Sequence, residues 1–335
     1  MKKLNKTVLL AAVLASAANA GVNVTGDATV GLKYVTKASA SAEEDSFVVS
    51  SGNDDNGQTH LNFAATNGGK GGNGVYAFVG TDADITAGSG TSFTIDQAYI
   101  GYKGKKFDTR MGTLDTLTYQ WVGSLNEQQY FADNIAVNPR YSQRISNSLQ
   151  ATTKLGTVTL GAGFNLPASD YDYTSYDLGA KFNVGKLGLS VVYQTVNDNV
   201  ATNDYDKRNT TSAGINYALK NLSSAKMLKD LVFTGTYSNS NKSTTASTAG
   251  KQSEKSTYSL GLKMNNLSVL YQTGQDDGRD QWNVEYLRPL SKNASFGVTG
   301  QLASNYYTDT TTSGTTDAAQ TVANEFAAVF LTTTF

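Results

Sequence analysis

Apolar and polar positions alternate along most of this chain with a period of two, which is typical of β-strands that have one apolar face. In the segment 186–197, Leu187, Leu189 and Val191 share one phase, and polar residues occupy much of the other. Equivalent alternation predicts about sixteen strands along the chain. They span residues 22–36, 58–66, 73–82, 92–102, 105–111, 139–153, 157–165, 173–183, 186–197, 209–220, 230–239, 255–264, 266–274, 280–288, 292–303 and 323–335.

The connections between these strands alternate in length. Long polar connections without a helical period span 37–57, 112–138, 198–208, 240–254 and 304–322. Short links of one to three residues lie between them, at 103–104, 154–156, 185, 265 and 289–291. An even number of strands, with short turns at one rim and long loops at the other, is typical of outer-membrane barrels. The pattern therefore predicts an all-β fold, a transmembrane antiparallel β-barrel of about 16 strands.

The last predicted strand ends on an aromatic residue. Val329, Leu331 and Phe335 lie in one phase of this strand. Terminal residues usually fray unless they are tied down, so an aromatic residue in phase with an apolar strand face needs a partner. The simplest partner is the first strand of the same barrel.

Residues 1–20 have the pattern of a cleaved secretory signal peptide. Lys2, Lys3 and Lys6 precede an apolar run over 8–15, and the small-x-small pattern of a cleavage site falls at residues 18–20. The alternative is an N-terminal membrane anchor, but the run is well short of the ~20 residues that span a bilayer. We expect residues 21–335 to form a single barrel domain.

Charge and composition exclude several function classes. Without the three lysines of the predicted signal peptide, 24 basic residues face 28 acidic ones, a formal charge of −4. This balance disfavours a nucleic-acid binder, which would present a basic surface. The chain has no cysteine, which excludes disulfides and cysteine-bound metals, and no motif in it predicts a cofactor.

One stretch of the chain resembles a known family. Lys105 to Thr116 (KKFDTRMGTLDT), a long connection, and then Asn138 to Phe164 (NPRYSQRISNSLQATTKLGTVTLGAGF) are similar to the general porins of Gram-negative outer membranes. The chain lacks the Pro-Glu-Phe-Gly loop motif of the enterobacterial members. The resemblance implies a homotrimer of sixteen-stranded barrels, each with a long third loop folded into the lumen. Barrels of 16–18 strands independently leave an aqueous channel.

The resemblance also implies a function and partners. We expect an outer-membrane porin that lets ions and small hydrophilic solutes diffuse passively, surrounded by outer-membrane lipids and lipopolysaccharide. It implies that Phe335 belongs to the signal read by the barrel assembly machinery. Two alternatives stay open, an outer-membrane enzyme of the lipase or protease type and a surface adhesin or structural barrel.

Strand phase predicts which charged side chains line the pore. On the sixth strand Ile145 and Leu149 lie in the lipid-facing phase, so Arg140 and Arg144 should point inward. Arg110 should point inward from the fifth strand.

The third loop, residues 112–137, offers Asp115, Glu127 and Asp133 as an acidic side opposite these arginines. Facing charges of this kind set ion preference in channels. The alternative for the loop is a solvated external position.

Two weaker features complete the set of candidates. His60 is the sole histidine, and a polar residue lining the lumen is favoured over a hydrolase triad or a metal ligand. Aromatic residues of the third loop would stack on sugars or, as we favour, pack the loop against the wall. They are Tyr119, Trp121, Tyr130 and Phe131.

Overall fold

The fold is a single closed antiparallel sheet, seen in a computed structural model. The structure describes residues 21–35, 46–50, 59–68, 73–86, 90–126, 144–165, 175–200, 204–220, 230–240, 256–274, 280–304, 306–307, 321–322 and 325–335. Predictions for residues 1–20 fall outside this part of the chain.

Seventeen strands form the main sheet. They are β1 (Gly21–Val35), β2 (Ser46–Ser50), β3 (Thr59–Gly68), β4 (Gly74–Thr86), β5 (Gly90–Lys103), β6 (Phe107–Asp115), β7 (Arg144–Leu155), β8 (Val158–Asn165), β9 (Ser175–Val184), β10 (Leu187–Val200), β11 (Asp204–Lys220), β12 (Asp230–Ser240), β13 (Ser256–Met264), β14 (Leu267–Gly274), β15 (Asp280–Pro289), β16 (Ala294–Ser304) and, last in the chain, β19 (Phe326–Thr334). A separate two-stranded sheet pairs β17 (Tyr306–Tyr307) with β18 (Thr321–Val322). Between β6 and β7 lie a short helix α1 (Leu117–Trp121) and a 3₁₀ helix (Gly123–Asn126). In the part of the chain that the structure describes, no helix has the length and apolar character to cross a membrane.

The seventeen strands fill sixteen positions around the barrel. Strand β2 pairs with residues 31–35 of β1, and strand β3 pairs with residues 21–27 of β1. Together β2 and β3 therefore occupy one position in the barrel. Strand β1 also pairs with β19, from Asp27 opposite Thr334 to Val35 opposite Phe326. This last pairing closes the sheet into a barrel of 16 strand positions.

All sixteen strands predicted from the alternation are present, with different ends and two additions. The prediction of a long loop over 198–208 is wrong, because β10 and β11 stay paired through Val200 opposite Asp204. Strand β2 and the β17–β18 pair lie within two of the predicted long polar connections, 37–57 and 304–322. The alternation predicts a strand only where one of its faces is apolar. It does not predict the polar ends by which a strand extends beyond the apolar part.

The outer face of the barrel is apolar. Large aliphatic residues there are strongly exposed, such as Leu178 at 53% and Leu260 at 65%. Aromatic residues occupy both ends of several outer rows, with smaller or aliphatic residues between them. The pairs are Tyr176 and Phe182 on β9, Phe233 and Tyr237 on β12, and Trp282 and Tyr286 on β15. An apolar band between two aromatic girdles matches a bilayer and its two interfaces.

The inner face is mainly polar. Small hydroxyl residues are frequent on the inner positions of β11 to β13, and β15 and β16 contribute amide side chains. Buried examples include Ser190, Ser212, Ser259, Gln281 and Gln301. A polar inner row opposite an apolar outer row explains why no strand is continuously hydrophobic.

Phe335 lies at the closing seam of the barrel. Its backbone exchanges two hydrogen bonds with Gly26, each 3.0 Å from nitrogen to oxygen. Gly26 has no side chain, and a Cβ there would meet the Phe335 ring at 2.7 Å. The ring therefore covers a gap in the outer row of β1, as the strand phase predicted.

We expect Phe335→Ser to lower the amount of folded protein in the outer membrane several-fold, because the seam loses this cover and a loss of 1–2 kcal/mol changes abundance by about that factor. Phe335→Tyr is the matched control, since it keeps a ring over Gly26. The measurement is folded protein in isolated outer membranes at equal synthesis. Equal yields of the serine and tyrosine variants would contradict the prediction.

Candidate functional site

The segment that follows β6 enters the barrel. Thr116 caps helix α1, and its hydroxyl oxygen accepts a hydrogen bond from the Tyr119 amide at 3.2 Å. We call residues 116–126 the third-loop segment. It contacts the face of β8, β9, β10, β12 and β13 opposite the exposed apolar rows. The described part of the third loop, residues 116–126, therefore lies inside the barrel, as expected.

Trp121 holds this segment against the wall. Its side chain is 8% exposed and lies over two glycines. A Cβ at Gly161 would come within 2.7 Å of the indole ring, and one at Gly179 within 2.9 Å. The ring thus occupies space that exists only because both positions lack side chains. Trp121 packs the loop to the wall, which was the favoured alternative to sugar stacking.

Hydrogen bonds fix the segment along its length. Near the start, the Leu117 amide donates to Asp177 Oδ2 of β9 at 2.8 Å. In the middle, the Ser190 hydroxyl of β10 donates to the Trp121 carbonyl oxygen at 2.7 Å. At the end, the Asn126 side chain bonds to the hydroxyls of Thr236 on β12 and Ser259 on β13. The segment is therefore attached to strands from β9 to β13.

The structure corrects the placement of Asp115. We expected it in the loop, opposite the arginines, but β6 continues through Asp115. Strand phase would place Asp115 on the outer face with the exposed Met111. A register shift in the β6–β7 pairing between Gly112 and Leu114 changes this phase. Gly112 has a φ of +146°, which a residue with a side chain rarely adopts.

Asp115 and Arg144 form an ion pair between neighbouring strands. They are opposite each other in the β6–β7 register, and Arg144 Nε lies 2.9 Å from Asp115 Oδ1. Gln97 donates a hydrogen bond to the other carboxylate oxygen of Asp115 at 2.8 Å. Arg144 also pairs with Asp96, which lies at a second register shift, in the β4–β5 pairing.

Arg110 lies in a separate cluster on the inner face. Its guanidinium pairs with Asp108 at 3.1 Å and donates through Nε to the Tyr76 hydroxyl at 3.0 Å. It also lies over the Tyr99 ring, 5.6 Å from the centroid. Arg110 is thus held against the wall by three partners.

Glu127, Asp133 and Arg140 fall outside the residues that the structure describes. Tyr130 and Phe131 do as well. The predicted basic ladder of Arg140 with Arg144, and the acidic side formed with Glu127 and Asp133, stay predictions.

The inner face also carries His60, which we favoured as a polar residue lining the lumen, and two aspartates that strand phase did not single out. Asp27, His60 and Asp82 lie side by side on β1, β3 and β4, in direct register. In the sequence they are up to 55 positions apart, and nothing local relates them. Within the described residues, no group of three or more His, Asp or Glu side chains is arranged to hold a metal ion.

Comparison with known proteins points to one family. A family model described as Gram-negative porin matches residues 7–142. The match covers less than half of the chain, and over that part the chain is similar to Gram-negative porins. No curated protein sequence matches this chain.

Solved structures share the fold of this chain. The outer membrane channel DcaP of Acinetobacter baumannii has a TM-score of 0.66 and 13% identity, and the match covers 95% of this chain and 98% of that one. An anion-selective porin from Comamonas acidovorans has a TM-score of 0.64 and 15% identity, covering 95% and 100%. A loop L8 deletion mutant of OmpT, an outer membrane protein of Vibrio cholerae, has a TM-score of 0.59 and 10% identity, covering 94% and 99%. At these identities the similarity concerns the fold.

The glycines under Trp121 give a direct test of how the third-loop segment is held. We expect Gly161→Ala to destabilise the protein by about 1–3 kcal/mol, because the added methyl group overlaps Trp121 and Leu117. Gly163→Ala is the matched control. Gly163 lies on the same strand as Gly161, and a Cβ there would have no neighbour closer than 3.8 Å. The measurement is denaturant unfolding in detergent, followed by tryptophan fluorescence. Equal stability of the two variants would show that the segment does not pack as described.

Proposed function

We propose that this chain is an outer-membrane porin, which forms a water-filled channel for the passive diffusion of ions and small hydrophilic solutes. The observation that carries the proposal is a closed barrel of 16 strand positions with an apolar outer face, a polar inner face and a loop segment anchored inside it. A barrel of this size is too wide for its own inner side chains to fill. The polar inner face supports an aqueous path.

The family points to a channel rather than to an enzyme. His60, the candidate for a hydrolase triad, contacts Asp27 and Asp82. These are wall residues in one strand register. The contacts suit a charged wall, and we assign the histidine no catalytic role.

The family and the outer-membrane proteins of similar fold support a location in the outer membrane. The exposed aliphatic and aromatic residues of the outer face would then contact lipid and, in the outer leaflet, lipopolysaccharide. Residues 1–20 would direct export as a cleaved signal peptide.

The match to the porin family model supports an oligomer, and we propose a homotrimer. We also propose that Phe335 contributes to recognition by the barrel assembly machinery. Its position at the closing seam supports this role.

We further propose that charged residues on and near the third loop narrow the channel and set its ion preference. The described members are Arg110, Asp115 and Arg144, and we include Glu127, Asp133 and Arg140 as predicted members. The ion pair of Asp115 with Arg144 lies directly before the third-loop segment. Low-dielectric walls focus the field of such charges on passing ions.

Planar-bilayer recording tests the channel. Purified, detergent-refolded porin should produce stepwise conductance increases, because each inserted barrel opens an aqueous path. The same protein after heat denaturation is the control and should produce none. A correctly folded porin that inserts without conductance would overturn the proposed function.

Ion preference tests the proposed site residues. Arg144→Gln should move the reversal potential in a salt gradient toward cation preference, because it removes a positive charge. Asp115→Asn should move it the opposite way. Both shifts should be larger at ~0.01 M salt, where the Debye length is ~30 Å, than at ~1 M salt, where it is ~3 Å. If both variants keep the wild-type reversal potential at low salt, these residues do not set ion preference.

A further inference from the structure

The sole histidine of the chain lies between two carboxylates. His60 is opposite Asp27 of β1 on one side and opposite Asp82 of β4 on the other. Its Nδ1 atom is 3.1 Å from Asp27 Oδ2, and its Nε2 atom is 3.5 Å from Asp82 Oδ1. Both ring nitrogens therefore meet an acidic partner.

These side chains belong to the inner face. On β1, the residues in the opposite phase to Asp27 are exposed and apolar, for example Val24 at 45% and Val30 at 44%. His60 and Asp82 are in register with Asp27, so they share its face. The histidine side chain is 32% exposed. It is accessible to protons and close to the path proposed for ions.

Charged side chains also connect the histidine with the ion pair of Asp115 and Arg144, which lies directly before the third-loop segment. Asp82 interacts electrostatically with Arg144, which pairs with Asp96 and Asp115. We call this set the charged row. Its members are Asp27, His60, Asp82, Asp96, Asp115 and Arg144.

The row has a surplus of negative charge that depends on the histidine. Four carboxylates and one guanidinium give a formal charge of −3 when the imidazole is neutral and −2 when it is protonated. Histidine is the side chain whose ordinary titration falls between pH 5 and 8. Only the protonated ring can donate to both carboxylates at once. The geometry therefore couples proton binding to the contacts with Asp27 and Asp82.

We propose that His60 is a specificity-determining residue that makes the ion preference of the channel depend on pH. The inference rests on the proposed diffusion channel and adds a regulation to it. Protonation of the ring lowers the negative charge of the row and weakens its attraction for cations. Loss of the proton restores the cation attraction.

The facing groups set the limits of this effect. The two strands that pair with β3 along His60 contribute Asp27 and Asp82, and Arg144 of β7 interacts electrostatically with Asp82. The variant His60→Gln keeps both facing carboxylates. Any change that it shows with pH therefore belongs to the carboxylates, and the difference between this variant and the wild type belongs to the ring.

The experiment compares reversal potentials in a potassium chloride gradient at pH 8 and pH 6, at low ionic strength. The wild-type ratio of potassium to chloride permeability should fall about two-fold at pH 6, as expected for one unit charge within several ångströms of the ion path. His60→Gln stays neutral, so it should keep the pH 8 value at both pH values. His60→Arg stays charged, so it should match the pH 6 wild type at both. If His60→Gln shows the wild-type change with pH, the proposal is wrong.

A second measurement needs no variant. Because the chain has one histidine, histidine-labelled protein without an affinity tag gives the NMR signals of one imidazole ring, whose chemical shifts report its protonation. The pH midpoint of the change in chemical shift should coincide with the pH midpoint of the change in selectivity. A clear separation of the two midpoints would overturn the proposal. Wild-type channels with pH-independent selectivity would sink this inference alone, whereas wild-type protein without channels would sink the proposed function as well.

Discussion

Every backbone N–H and C=O at membrane depth must find a partner within the protein, because hydrocarbon offers none. A sheet meets this requirement only if it has no free edge, so the pairing of β1 with β19 is the contact on which the rest of the barrel depends. The side chains follow from the same closure. It fixes an inner face, where Thr29 bonds to Thr332 across the seam, and an outer face, where Phe335 covers Gly26.

Closure creates an interior that the side chains of the wall do not fill, and the third-loop segment occupies part of that space. It is attached by one large ring over two glycines and by hydrogen bonds to polar groups on strands β9 to β13. Small residues on the wall therefore have a positive role, since they let Trp121 approach the backbone closely. A wall of larger residues would hold the segment further into the lumen, so the glycines help to set the width of the path.

Charge on the inner face is organised across strands. Asp27, His60 and Asp82 are neighbours because three strands align in register. Asp96 and Asp115 reach Arg144 because two irregularities in the pairing alter the strand phase. Such irregularities commonly re-aim side chains at functional sites. Neighbouring charges of opposite sign also hold each other in place, so the field along the path has a defined shape.

The sequence by itself determined the sixteen strands, the polar and apolar faces and the closing role of Phe335, because each follows from a two-residue period that is local. It also placed Arg110 and Arg144 in the inward phase, in agreement with the partners that the structure gives them. Only the tertiary structure decided that Asp115 belongs to a strand and pairs with Arg144, because register shifts break the period without changing the composition. Only the tertiary structure likewise brought together the charged row around His60 and placed Trp121 over its two glycines. Strand register and the close approach of a loop to glycines depend on residues far apart in the chain, and no local pattern encodes them.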